Sequence, residues 1–206
     1  WIGSDAGPGA LSSSNPPLSY ETWVTALAGT SGIRYGTSAN MPATLNVIFG
    51  PSGAGKTTYA NAFARREGAV AFILDDWMAR MFGPDMPEPL QYDWMIERVG
   101  RCEAQIWSVA AAVMATGTSV ILDIGLMRRA DRDRVREIAE ATGLPLQLHF
   151  VDAPADARRA RVAERNVIRG EGFAIDVPPD MFDFIEGVYE APEPAELAGA
   201  VISRSD

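Results

Sequence analysis

The run GPSGAGKTT, residues 50–58, restricts the possible folds of this chain more than any other stretch. The apolar segment LNVIFG, residues 45–50, ends at the first glycine of the run, as a buried parallel strand would. The alanine-rich segment TTYANAFARR, residues 57–66, follows at once and has the composition of a helix. A strand, a glycine-rich loop and a helix in this order predict an α/β fold with the loop at the carboxyl end of the strand.

The loop has the spacing of a phosphate-binding site. Gly50, Gly55, Lys56 and Thr57 match G-x-x-x-x-G-K-[ST], in which backbone N–H groups surround phosphates, the lysine reaches outer oxygens and the hydroxyl takes Mg²⁺. Lys56 is the single lysine beside seventeen arginines, and its compact ammonium suits a tight ring of amides better than a planar guanidinium does. The alternative is a glycine-rich turn with an incidental lysine. We predict a site for ATP or GTP with Mg²⁺, formed by Gly50, Pro51, Ser52, Gly53, Ala54, Gly55, Lys56, Thr57 and Thr58.

Strand and helix patterns alternate along the rest of the chain. Apolar runs at 70–74, 119–123 and 146–151 are separated by helical patterns at 90–116 and 129–143. The alternation predicts the α/β class, as a three-layer P-loop NTPase fold with a parallel sheet, helices on both of its faces and a helical lid. Within these patterns we expect Trp94, Cys102, Trp107 and His149 to be packing residues rather than functional ones.

The first forty residues differ in composition from the remainder. Gly, Ser and Pro make up sixteen of them, which is typical of a linker, and no secretory signal pattern is seen. We expect a flexible leader or extension over residues 1–40 and one nucleotide-binding domain over 41–206. A single cysteine and the lack of a long apolar run predict a cytoplasmic protein that contacts no membrane.

Three carboxylates follow predicted strands: Asp75, Asp76 and Asp123. Ligands of open parallel sheets lie beyond the carboxyl ends of the strands, so these side chains are expected near the phosphates. Phosphoryl transfer needs one carboxylate that activates the attacking hydroxyl and another that helps to hold magnesium. We predict catalysis for Asp75 or Asp76; the alternative is that one of the two caps a helix over WMARMF.

Arginines are concentrated in one part of the chain, with ten of the seventeen between residues 128 and 169. Spacings of three, four and four place four of them on one face of a predicted helix: Arg158, Arg161, Arg165 and Arg169. A basic face beside a phosphate loop suits a lid, at about residues 154–187, that closes on the nucleotide. The alternative is a solvated helix balanced by Asp156 and Glu164.

The distribution of acidic residues bears on the partner. The formal net charge is -9, and residues 171–203 hold eight acids and no basic residue. This balance argues against a nucleic acid and favours a cationic small-molecule acceptor. The alternative is a solvated acidic face.

Four stretches together resemble a known family: GPSGAGKTT, LDDWMARMFG, VILDIGLMRRADR and ARRARVAERNVIRGEGFAIDV. In order and spacing they are similar to the P-loop kinases that phosphorylate free hydroxyls, a group that includes polynucleotide kinases, chloramphenicol phosphotransferase, gluconate-type kinases and zeta toxins. The resemblance covers about residues 44–187. It departs from the polynucleotide kinases at Met78, where those enzymes carry an arginine that grips the substrate phosphate.

The resemblance implies specific roles for the candidate residues. It assigns Asp75 as the catalytic base, with Lys56, Arg165 and Arg169 as further catalytic residues. It also maps the aspartate that follows the third strand onto Asp123. We further expect Arg161 and Arg165 as nucleotide ligands, Thr57, Asp76 and Asp123 as metal ligands, and Asp75, Asp76, Asp123 and Arg128 as the acceptor site.

The resemblance makes residues 41–206 a P-loop kinase domain that transfers phosphate to a hydroxyl. A cationic antibiotic such as an aminoglycoside is the first expectation for the acceptor, because of the acidic segments. The alternatives are a sugar, nucleoside or nucleotide-sugar kinase and, in another class, a nucleotide-dependent regulatory ATPase.

Overall fold

The computed structural model describes residues 43–169 and 176–205. The leader expected over residues 1–40 and part of the expected lid lie outside the described residues. The strands are β1 (Leu45–Phe49), β2 (Val70–Ile73), β3 (Val120–Asp123), β4 (Leu146–Asp152) and β5 (Val201–Arg204). The α-helices are α1 (Lys56–Glu67), α2 (Leu74–Phe82), α3 (Tyr92–Ala115), α4 (Arg129–Thr142), α5 (Ala155–Ile168) and α6 (Pro179–Val188). Short 3-10 turns cover Gly83–Asp85 and Pro194–Leu197.

The five strands form one parallel sheet in the order β2-β3-β1-β4-β5. β1 lies at the centre and is buried along its whole length, which explains why it is apolar except at Asn46. In this register Val47 lies opposite Leu122 of β3 and Leu148 of β4. Because the strands are parallel, the end of β1, the end of β3 and the start of α2 all lie at the carboxyl end of the sheet.

The two faces of the sheet are covered by different helices. Val47 points to one face, where it packs in a cluster with Ile106 of α3 and Ile138 of α4. Ile48 points to the other face, where it packs with Ala60 of α1. Alternate residues of one strand therefore bury themselves against opposite helical layers, which confirms the three-layer α/β prediction.

The residues expected to be structural lie in the core or pack beside it. Cys102 and Trp107 are buried in the cluster formed by α3. The Trp94 ring is covered by the guanidinium of Arg98, at 4.0 Å, and meets the edge of Phe82. These contacts support packing roles for all three residues.

His149 is held in a buried chain of hydrogen bonds. Its Nε2 lies 3.0 Å from Oδ1 of Asn46, and its Nδ1 lies 2.9 Å from the hydroxyl of Tyr59. The Asn46 amide nitrogen donates to the carbonyl oxygens of Thr44 and Val120, so its Oδ1 is left to accept. Nε2 therefore carries the proton, Nδ1 accepts from Tyr59, and the imidazole is satisfied in its neutral form. Burial lowers the pKa of His149 to about 4.

We expect acidification to destabilise the fold through His149. Between an unfolded pKa of 6.5 and a folded pKa of about 4 the unfolded chain binds the extra proton, so stability is full above this window and is lost as pH falls through it. The loss reaches about 3 kcal/mol in the free energy of unfolding. Urea titrations of the native protein and His149→Gln across pH 4 to 6.5 measure it. The difference between the two proteins in free energy of unfolding, plotted against pH, separates the effect of the imidazole from that of buried carboxyls. The same pH dependence in both proteins would contradict the prediction.

The C-terminal strand is anchored through a buried ion pair. Arg132 of α4 is fully buried, and its Nε and Nη2 donate to the carboxylate of Glu196 at 2.8 and 3.1 Å. Its Nη1 donates to the carbonyl oxygen of Glu190 at 3.0 Å. The hydrogen bonds from Arg132 lower the pKa of Glu196 to about 2, so this carboxyl is ionised at neutral pH. β5 itself was not predicted, because four residues reading VISR give no apolar run.

In the part of the chain that the structure describes, the longest helices are too polar or too short to cross a bilayer.

Candidate nucleotide and acceptor site

The loop between β1 and α1 can follow its path only with glycine at two positions. Gly50 has a φ of 146°, and a Cβ there would lie 1.9 Å from the carbonyl oxygen of Val151. Gly53 has a φ of 77°, and its Cβ would lie 2.7 Å from the carbonyl oxygen of Arg158. Neither neighbour is a flexible side-chain tip, so both contacts forbid a larger residue. The sequence motif is thus a loop packed tightly between β4 and α5.

Lys56 points back into this loop. Its Nζ donates to the carbonyl oxygens of Gly50 and Pro51 at 3.0 and 2.9 Å. Burial lowers the pKa of the ammonium, and the carboxylates of Asp123 and Asp75 act in the opposite direction. A buried cation within reach of two carboxylates is arranged to meet a further negative group.

The first helical hydroxyl is bonded to the end of β3. Thr57 Oγ1 donates to Oδ2 of Asp123 at 2.8 Å, across 66 residues of sequence. Burial raises the pKa of Asp123, while the charge of Lys56 and the hydrogen bond from Thr57 oppose this effect. A hydroxyl and a carboxylate side by side are hard oxygen donors of the kind that Mg²⁺ takes, together with phosphate oxygens and water. Among the described residues, this site included, no group of three His, Cys, Asp or Glu side chains could hold a metal ion without other ligands.

Asp75 and Asp76 lie in the first turn of α2, because this helix begins one residue earlier, at Leu74. The alternative, that one of the two aspartates caps a helix over WMARMF, is therefore wrong: the cap position belongs to Ile73, and no side chain caps the helix. Asp75 is exposed and Asp76 is half-buried. Neither is used to begin the helix, so both carboxylates are available to a ligand.

The predicted residues meet in one cleft of about 810 Å³. Eleven of them line it: Ser52, Gly53, Gly55, Lys56, Thr57, Thr58, Asp75, Asp76, Asp123, Arg161 and Arg165. Gly50, Pro51 and Ala54 shape the loop without lining the cleft. Arg128 does not line it either: it is exposed at the start of α4, where its backbone N–H donates to Asp131.

The four lid arginines do not act as one face. Arg161 and Arg165 line the cleft, and the Nε of Arg165 is buried without a hydrogen-bond partner among the described residues. Arg158 is buried outside the cleft lining, where it binds both carboxylate oxygens of Glu186 at 2.6 Å and the carbonyl oxygen of Ser52 at 3.1 Å. Arg169 pairs with Asp176 and has a left-handed φ of 48°, so the helix ends before its spacing can bring it to the cleft.

The acidic C-terminal segment is neutralised within the molecule. Five of its carboxylates form ion pairs with arginines of the basic stretch: Arg129–Glu193, Arg132–Glu196, Arg158–Glu186, Arg159–Asp183 and Arg169–Asp176. The sequence showed two charged blocks, but folding places them against each other. This pairing removes the main observation that favoured a cationic acceptor.

Sequence reasoning missed several residues that line the cleft: Asn61, Ala62, Arg65, Arg80, Met95, Gly125, Met127, Val162 and Ile185. Two of them carried a usable signal. Arg65 lies on the same face of α1 as Thr58, by helical spacing. Arg80 is the only basic residue in the acidic stretch 75–97. The apolar members come from separate elements and have no local pattern.

The strand order, the phosphate loop and the cleft define a P-loop NTPase with the fold of the P-loop kinases. The chain belongs to the AAA domain family, whose profile matches residues 45–192. No curated protein has a significant match to the sequence.

Solved structures with kinase descriptions share this fold. A protein of Chloroflexus aurantiacus j-10-fl, described as a candidate kinase, has a TM-score of 0.62 and 17% identity over 80% of this chain and 89% of its own. A gluconokinase from Sinorhizobium meliloti 1021 has a TM-score of 0.51 and 18% identity, over 80% of this chain and 84% of its own. The APS kinase of Mycobacterium tuberculosis has a TM-score of 0.50 and 19% identity, over 81% and 91%.

Proposed function

We propose that the protein transfers the γ-phosphoryl group of ATP to a hydroxyl of a small molecule. The observation that carries the proposal is a single cleft that unites a phosphate loop, carboxylates at the ends of two strands and arginines of a neighbouring helix. A phosphoryl-transfer site needs these parts, and little covalent chemistry is left for the protein to supply. The kinase descriptions of the solved structures with this fold agree with it.

The phosphate-binding part is assigned to the loop and α1. Backbone N–H groups of residues 52–57 and the ammonium of Lys56 hold the β- and γ-phosphates at the positive end of the α1 dipole. Arg165, whose Nε has no hydrogen-bond partner among the described residues, and Arg161 bind phosphate oxygens from the other wall. Their charge offsets the negative charge that the transferred group spreads over its oxygens.

The acceptor is activated by Asp75. Its carboxylate takes the hydroxyl proton as the acceptor oxygen forms a bond to the γ-phosphorus and the bond from that phosphorus to the bridging oxygen of ADP breaks. Asp75 is suited to this role because it is exposed in the cleft and, among the described residues, has no hydrogen bond or ion pair that would fix it elsewhere. Thr57 and Asp123 would hold Mg²⁺, with Asp76 beside them. The metal ion supplies neutralisation of phosphate charge.

The test is a transfer assay with γ-labelled ATP and Mg²⁺ against separate acceptor classes: sugars, sugar acids, nucleosides, nucleotides and aminoglycosides. We expect label on one class at a rate that depends on both substrates. A sugar or nucleotide acceptor fits the cleft better than an aminoglycoside, since the acidic segment is already paired. Release of label as free phosphate, unchanged by every acceptor, would instead support a regulatory ATPase.

A further inference from the structure

The charge of the cleft is opposite to that of the whole protein. The chain has 18 basic and 27 acidic residues. The cleft lining has five basic residues, Lys56, Arg65, Arg80, Arg161 and Arg165, against three acidic ones, Asp75, Asp76 and Asp123. The folded chain therefore concentrates positive charge at this site, which favours negatively charged ligands.

The described arginines fall into three groups: those paired with carboxylates, those in the cleft, and three outside the cleft lining without an ion pair, Arg128, Arg134 and Arg204. Nine described arginines form ion pairs with carboxylates, and all nine lie outside the cleft lining: Arg66, Arg98, Arg101, Arg129, Arg132, Arg136, Arg158, Arg159 and Arg169. Arg65, Arg80 and Arg165 line the cleft and, among the residues that the structure describes, have no ion pair or hydrogen bond from their side chains. In a ligand cleft, a guanidinium group that has no carboxylate partner in the protein is suited to bind an anionic ligand.

Two of these three cleft arginines lie where the nucleotide is expected to bind. Arg165 comes from the lid helix α5, beside Arg161. Arg65 continues the face of α1 that includes Thr58 and Asn61, directly after the phosphate loop. Arg80 has a different origin, because it lies on α2 with Asp75 and Asp76. It is four residues beyond Asp76, which places it on the same helix face about 6 Å along the axis.

We propose, building on the proposed function, that the acceptor is itself an anion and that Arg80 binds its carboxylate or its phosphate or sulfate ester. The hydroxyl end of the acceptor lies at Asp75, and its anionic end lies at the guanidinium of Arg80, five residues and about 7.5 Å further along the helix axis. A neutral acceptor would leave an unpaired guanidinium in the site, and a cationic one would be repelled by it.

The experiment compares hydroxyl acceptors that differ only in an anionic group. Glucose is paired with gluconate and adenosine with AMP, and kanamycin is the cationic member. Each is tested for transfer of γ-label from ATP, and for a rise in Tm with a non-hydrolysable ATP analogue present. The variants are Arg80→Gln and, as a matched control, Arg204→Gln, which removes an exposed arginine outside the cleft. The two pairs distinguish a carboxylate from a phosphate.

We expect the anionic member of one pair to be preferred, and Arg80→Gln to raise its KM at least about tenfold while Arg204→Gln leaves it unchanged. If label is transferred to a neutral acceptor or to kanamycin, and Arg80→Gln does not weaken this transfer, the inference is wrong and the kinase proposal still holds. If no acceptor takes label, the kinase proposal fails, and the Tm measurement decides the inference alone. A shift by gluconate or AMP that Arg80→Gln abolishes supports it, and equal or absent shifts reject it.

Discussion

Replacing Lys56 by arginine is expected to reduce phosphoryl transfer by at least about 100-fold, although the positive charge is kept. The ammonium lies within 3.0 Å of the carbonyl oxygens of Gly50 and Pro51, inside a loop that cannot widen because Gly50 is packed against Val151. A guanidinium is broader and is placed differently toward the β- and γ-phosphates. Steady-state transfer and ATP binding by calorimetry measure the effect.

Lys56→Met completes this comparison, because it removes the charge and keeps an unbranched side chain. If both variants lose transfer while their thermal unfolding matches the native protein, then the shape and the charge of lysine are both required. Near-native transfer by Lys56→Arg would show that charge alone suffices. In that case the single lysine of the chain would have no functional explanation.

Asp75→Asn is expected to reduce turnover by about 100-fold to 10,000-fold and to leave the affinity for ATP nearly unchanged. The amide cannot accept the hydroxyl proton, yet it has almost the same size as the carboxylate. Asp75 is exposed in the first turn of α2, so little stability depends on it. Single-turnover transfer and ATP binding are measured on the same preparation.

Two further variants give this prediction its controls. Asp85→Asn makes the same chemical change at an exposed position outside the cleft lining, and it should have native activity. Asp76→Asn tests the neighbouring carboxylate, which we expect to affect the Mg²⁺ requirement more than the proton transfer. Equal losses of turnover and of ATP binding in Asp75→Asn would assign that residue to metal or nucleotide binding instead.

The sheet could be predicted from the sequence wherever a strand is buried on both faces. β1, β3 and β4 are mainly apolar for this reason, and the helices between them have apolar spacing of three and four. β2 was predicted although it lies at an edge of the sheet, because VAFI is apolar, whereas the residues of β5, VISR, are mostly exposed and give no apolar run. The start of α2 was misplaced because Leu74 is equally suited to the end of a strand and to the first turn of a helix.

In the site, residues that belong to the motif or follow a strand were predictable, and residues whose place depends on how helices pack were not. The motif gives Lys56 and Thr57, and strand ends give Asp75, Asp76 and Asp123. The places of the arginines were harder to predict, since regular spacing shows that they share a helix face but does not show which carboxylates or ligands they contact. Which acids pair with which arginines depends on the packing of α4, α5 and α6 against the C-terminal segment.

The match to the AAA domain family ends at residue 192, but residues beyond it belong to the folded domain. Glu196 lies beyond that point, and it neutralises the fully buried Arg132. A fragment that stopped at residue 192 would leave this guanidinium buried without its carboxylate, at a cost of about 3–5 kcal/mol. Because the net stability of domains is only about 5–15 kcal/mol, this loss would consume a large share of it. The folding unit therefore extends past the family match, because it includes Glu196 and β5.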